Sequence, residues 1–115
     1  MSKTLKLDTL DGRKIEVVMR DFKALEVFSL GFKVQRSIEA HDNTEALCAM
    51  CSMVVNAAES WAGTNEAFSR QALQALLDSD LTLIVQLSEQ IGIIVQQQLA
   101  LAFPFYEQPE DGVVH

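Results

Sequence analysis

Positive charge is scarce in this sequence: nine Lys and Arg stand against sixteen Asp and Glu, a formal net charge of -7 over 115 residues. That balance repels phosphate backbones and supplies no basic stripe from which counterions are released, so direct binding of DNA or RNA is not expected. The same acidity disfavours adhesion to anionic membranes, and no apolar run approaches the roughly 20 residues that span a bilayer. The N-terminus, MSKTLKLDTL, also lacks the apolar stretch of a secretory signal, and residence in the cytoplasm is expected. Glycine-rich phosphate loops and serine nucleophile elbows are missing as well. Apolar residues are plentiful: at 49 % hydrophobic and 22 % charged, the chain is too apolar for wholesale disorder and is sized for one domain with a modest core.

Only two cysteines and two histidines are present, which limits metal and redox chemistry. Cys48 and Cys51 have the spacing of a redox or zinc half-site. A redox pair needs its first thiol at a helix N-terminus, where the dipole lowers its pKa, whereas both fall inside a predicted helix and read as small buried packing residues. Zinc needs at least three protein ligands, and only His41 and His115 remain to complete a set, so no metal or other cofactor is expected. His41 falls in a polar break between helices and reads as a solvated loop residue. Asp78 and Asp80 resemble a carboxylate pair, but acids directly before a helix are its usual caps. With no catalytic constellation, the protein is not expected to be an enzyme.

Period and punctuation place the elements. Residues 4–19 read as a β-hairpin whose three-residue loop takes its left-handed residue from Gly12. That register sets Leu7 opposite Ile15 and Leu5 opposite Val17 on one face, with Asp8 opposite Lys14 and Lys6 opposite Glu16 on the other. A two-residue loop would set Leu7 against Glu16 and scramble both faces. Asp21 is a natural N-cap for a helix over about 22–39, with Phe22, Leu25, Phe28 and Phe32 as its apolar stripe. Asp42 and Glu45 have capping-box spacing before a second helix, over about 45–61, whose stripe of Leu47, Met50, Cys51, Val54, Val55, Ala58 and Trp61 ends at Gly63. A third helix, over about 66–77 and begun by Thr64 or Ser69, carries Phe68, Ala72, Leu73, Leu76 and Leu77 on one face. Asp80 caps a fourth, over about 81–101, which is apolar on more than one stripe and in which Gly92 implies a close packing contact. The expected fold is mostly α, of the α+β class: an N-terminal β-hairpin followed by a compact bundle of about four helices, one domain over 1–106, then an acidic tail over 107–115.

What remains is protein binding. The fourth helix is wider in apolar surface than one small bundle buries, so Val95 and Leu99 are candidate contact residues, and self-association is one outcome. Phe103, Phe105 and Tyr106 lie around the helix stop at Pro104, where the interface and packing readings stand level. Trp61 extends the second helix's stripe and reads as core first and as interface second.

The hairpin built around TLDGRKIEV and running directly into RDFKALE resembles the tail assembly chaperones of long-tailed bacteriophages, and ALQALLDSDLTLIVQLSEQI resembles that family's closing helices. The similarity covers most of residues 4–100. Many relatives carry a proline just before the Asp that opens the first helix, and Met19-Arg20-Asp21 has none. The resemblance implies a small protein of the host cytoplasm that binds the long, helical tape measure protein. It keeps that client soluble until tail tube protein polymerises around it, and is absent from the mature virion. The resemblance also implies that the chain ending at His115 is the shorter of two forms made by ribosomal frameshift. Other small acidic binding modules, such as secretion chaperones or antitoxins, share the acidity, the helices and the apolar surface. A large helical protein encoded immediately downstream distinguishes the phage reading.

Overall fold

Leu5 and Leu7 alternate with Lys6 and Asp8, and Ile15 and Val17 with Lys14 and Glu16, so a hairpin in one register buries four apolar side chains on one face. The computed structural model, which describes residues 3–102, has that register. β1 (Lys3–Asp8) and β2 (Lys14–Met19) pair antiparallel, with Leu5 opposite Val17, Leu7 opposite Ile15, Lys6 opposite Glu16 and Asp8 opposite Lys14. The Thr9 N–H donates to the Arg13 carbonyl at 2.9 Å, and Gly12, at a φ of 91°, donates to the Thr9 carbonyl at 3.1 Å. Only a residue without a Cβ adopts that φ at little cost.

α1 (Ala24–Ala40) starts later than the sequence implies, because Lys23, rather than Asp21, holds the N-cap position. The Glu26 carboxylate accepts the Lys23 N–H at 2.7 Å, which is half of a capping box. The other half is not made, since an ammonium has no lone pair to offer. At the far end His41 takes the left-handed conformation, φ 57°, and a Schellman closure follows: His41 N–H to Ile38 at 3.3 Å and Asp42 N–H to Ser37 at 3.1 Å. Phe22 is buried just ahead of the helix, but Leu25, Phe28 and Phe32 face outward, and Val27 and Leu30 fill the inner face. The helix carries two apolar stripes, and only one of them can lie on a neighbour.

α2 (Thr44–Ala57) begins with Asp42 Oδ1 accepting both the N–H and the hydroxyl of Thr44, at 2.9 and 2.7 Å. Glu45 does not close a capping box; it pairs with Arg36 of α1. The helix ends earlier than its apolar period implies, and Ala58–Ala62 is a third strand, β3, antiparallel to β2, giving the sheet order β1-β2-β3. Ala58 and Trp61 are therefore strand residues and not the last turn of a helix stripe. The physical cause is the second edge of β2, whose backbone groups need partners that helical spacing cannot reveal. Gly63 turns the chain after β3 at a φ of 93°.

α3 (Arg70–Ser79) is capped by Ser69, whose hydroxyl accepts the Ala72 N–H at 3.0 Å; Phe68 falls before the helix and not on it. α4 (Leu81–Ala102) is capped by Asp80. Asp80 Oδ1 accepts the Thr82 N–H at 2.9 Å and the Thr82 hydroxyl at 2.6 Å, and Oδ2 accepts the Leu10 N–H at 3.3 Å, so one carboxylate both starts the helix and holds the hairpin turn. A Cβ built on Gly92 meets nothing within 4 Å, so this glycine marks no close packing contact.

The sheet's inner face, Leu5, Leu7, Ile15, Val17 and Met19, is covered within the chain by Leu83, Leu87 and Ile91 of α4, with Val54 and Ala57 of α2 and Leu73 and Leu77 of α3 in the same core. α1 packs chiefly on α2. The outer edge of β1 is sealed by two glutamines of α4. Gln90 accepts the Lys6 N–H at 2.9 Å and donates to the Lys6 carbonyl at 2.6 Å; Gln86 does the same to Asp8 at 2.8 and 3.0 Å. Residues four apart on a helix rise about 6 Å, and residues two apart on a strand rise about 6.6 Å, so consecutive turns of α4 match alternate residues of β1. Each side-chain amide stands in for a neighbouring strand's peptide group.

Candidate functional site

The residues singled out by sequence do not form one surface. Trp61 sits opposite Val17 in the sheet, half-buried, with its indole N–H donating to the Glu66 carbonyl at 2.8 Å. Its ring meets Phe68 edge-on at 5.6 Å, which makes it a packing residue under the loop after β3. Val95 and Leu99 are partly buried against the core. Phe103, Phe105 and Tyr106 lie outside the described residues. On the outward side of α4, Leu81 and Val85 are exposed one turn apart, but Glu89 separates them from Ile93 and Gln97 separates Ile93 from Leu101, so that face is interrupted twice by polar side chains.

A continuous apolar surface lies on α1 instead. Leu25 is 81 % exposed, Phe28 48 % and Phe32 73 %. At roughly 100° per residue these three share an arc of about 60°, on the side of the helix opposite Val27, Leu30 and Ser37. Ser29, Lys33 and Arg36 flank them and complete a shallow surface depression. Leu25, Ser29 and Lys33 also form one wall of a groove between α1 and α2, whose other wall is Glu45, Cys48, Ala49, Ser52 and Asn56. Sequence reasoning found this stripe but did not count it among the candidate contact residues. The signal that distinguishes the cases was present: Leu25, Val27, Phe28, Leu30, Phe32 and Val34 crowd one helix with more apolar positions than a single buried face holds.

One ion pair lies at the start of α1 and another crosses from α1 to α2. Arg20 donates to Glu26 at 3.1 Å at the start of α1, and Arg36 pairs with Glu45 near its end. The Arg20 hydrogen bond is the main reason the Glu26 carboxyl is held below its ordinary range, burial opposing it and the Lys23 N–H adding to it. α1 is seated on α2 by its inner apolar face, Val27 and Leu30, which packs into the same core as Met53 and Val54 and leaves the second stripe outward.

Cys48 is exposed in the groove, contrary to its reading as a buried packing residue, because the buried positions of α2 are Ala46, Met53, Val54 and Ala57 and Cys48 lies off that arc. Cys51 is half-buried, and burial pushes its thiol above the ordinary value, with Cys48 and Asp78 adding to the effect. A raised pKa leaves less thiolate for attack at neutral pH. Asp78 accepts a hydrogen bond from Gln74 at 3.0 Å, while Asp80 is spent on its cap. Among the described residues, no group of three or more His, Cys, Asp or Glu is placed to hold a metal ion, and no helix is long and apolar enough to cross a membrane. What the α1 surface can do is remove an apolar stripe of another polypeptide from water. No family model, curated protein or solved structure matches the chain.

Proposed function

We propose that the chain is a non-enzymatic chaperone of the phage tail assembly type, which holds the tape measure protein soluble in the host cytoplasm and is left out of the finished virion. The observation that supports this reading is the exposed stripe of Leu25, Phe28 and Phe32 on α1, beside a groove bounded by α2. A long helix with an apolar face needs such a surface, laid out at helical spacing, and needs no reacting group. Fully burying a side chain of this size is worth about 1.5–3 kcal/mol, so three of them support a reversible contact that polymerising tail tube protein can displace. The net charge of -7 keeps the loaded complex soluble.

Co-expression with the tape measure protein tests the proposal. The wild-type chain is expected to keep the client in the soluble fraction and to co-elute with it on size exclusion. Phe32→Asp is expected to lower recovery by tenfold or more, a loss of about 1.4 kcal/mol, with an unchanged circular dichroism spectrum. Leu99→Asp serves as the comparison for the α4 surface. If the wild-type chain leaves the client insoluble, the chaperone reading fails; if Phe32→Asp co-elutes as well as wild type, α1 is not the contact.

A further inference from the structure

The chain beyond α4 begins with Phe103, Pro104, Phe105 and Tyr106 and continues with Glu107, Glu110 and Asp111. We propose that this segment seats on the outer face of its own α1, with its aromatics over Leu25, Phe28 and Phe32 and its acids toward Lys33 and Arg36. The docking does not rest on the proposed function.

Three observations on the described residues point there. The first is position. Gln98 of α4 donates to the Phe22 carbonyl at 3.2 Å, so the end of α4 lies beside the start of α1. Ala102 is only about 6 Å further along the helix axis. The second is reach. An extended chain covers about 3.3–3.6 Å per residue, which allows Tyr106 about 14 Å and Asp111 about 32 Å from Ala102, while the face from Leu25 to Arg36 runs about 16 Å. The third is order. The tail presents aromatics and then acids, and α1 presents Leu25, Phe28 and Phe32 followed by the basic Lys33 and Arg36 along the same direction. Among the described residues Lys33 forms no ion pair, which leaves its ammonium to a carboxylate from elsewhere. Tethering makes the encounter intramolecular, at an effective concentration on the order of millimolar, so a contact too weak to hold two separate chains is enough.

Nuclear magnetic resonance on the full chain tests this without any client. A nitroxide is attached to Gly112→Cys in a Cys48→Ser/Cys51→Ala background, and amide intensities are read in the isotope-labelled protein. The expected result is loss of amide signal across residues 25–36, restored when Phe103, Phe105 and Tyr106 are replaced by Ser. Unaffected amides in 25–36 overturn the proposal. A second sample mixes nitroxide-bearing chains without isotope label with labelled chains without nitroxide. Signal loss there means that a second copy is the occupant, which also overturns it. Unchanged shifts in the sheet and α4 show that each variant is folded. Failure of client binding leaves this result intact, and absence of docking leaves client binding intact.

Discussion

A methyl group on residue 63 would land 1.9 Å from the Lys14 carbonyl oxygen, in a backbone whose φ is 93°. Gly63→Ala therefore meets both a clash and a strained conformation, and a loss of about 1–3 kcal/mol is expected. Gly92 is the opposite case. It sits inside α4 with open space where a Cβ would go, so Gly92→Ala is expected to gain up to about 1 kcal/mol from helix propensity alone. Thermal denaturation of the two variants should move the midpoint in opposite directions; movement in the same direction would refute the assigned geometry. Glu26 makes a prediction in pH. Its carboxyl is held below its ordinary value of 4.5, chiefly by Arg20, so it stabilises the fold fully above that value and loses the contribution as pH falls through the lowered folded value. Glu26→Gln should cost on the order of 1 kcal/mol at neutral pH in urea denaturation, for a partly buried pair that also supplies a cap. The gap from wild type should close as the solution is acidified. A gap that widens in acid would reverse the sign of the argument.

At the scale of elements, the hairpin was legible because charge and apolarity alternate in step, and a slip of one residue violates both at once. The helix cap at Asp80 was legible because its chemistry is local; at the start of α3 Ser69 stood beside Thr64 as an equal candidate, and the structure selects Ser69. β3 was not legible. Ala58 and Trp61 continue the spacing of the preceding helix, and what converts them to a strand is an edge of β2 about forty residues earlier in the chain. That the Leu25, Phe28 and Phe32 stripe of α1 faces outward was not legible, because two stripes on one helix cannot be ranked without knowing where α2 lies. The Gln86 and Gln90 seal was also invisible, since glutamines on a helix read as solvated until a strand edge is placed beside them. That seal predicts a distinctive exchange pattern. With Gln86→Met and Gln90→Met the apolar stem is kept and the amide is lost, at on the order of 1 kcal/mol for each side chain. The Lys6 and Asp8 amides, which point to α4, should then exchange with solvent much faster, whereas those of Leu5 and Leu7, which alternate inward to β2, should change little. Uniform acceleration along β1 would mean that the glutamines support the whole fold and not the edge.

Across the whole molecule two properties oppose each other: an apolar stripe on α1 that favours contact and a net charge of -7 that keeps copies apart. The range of that repulsion is set by salt, with a Debye length of about 10 Å at 0.1 M and about 3 Å at 1 M. Copies therefore repel before they touch in dilute salt and meet freely in concentrated salt, where the adhesiveness of the stripe becomes measurable. The informative variant replaces Phe103, Phe105 and Tyr106 with Ser, removing the residues proposed to shelter α1. In sedimentation velocity it should run as a monomer at low salt and shift toward larger species at high salt. Wild type should shift less. Adding Phe32→Asp should hold the variant monomeric at both, because the new charge sits in the middle of the contact and screening does not remove its desolvation cost. A tail variant that sediments identically at low and high salt would undercut the binding reading from below. A surface that ignores a second apolar stripe once repulsion is screened has nothing to offer a longer one.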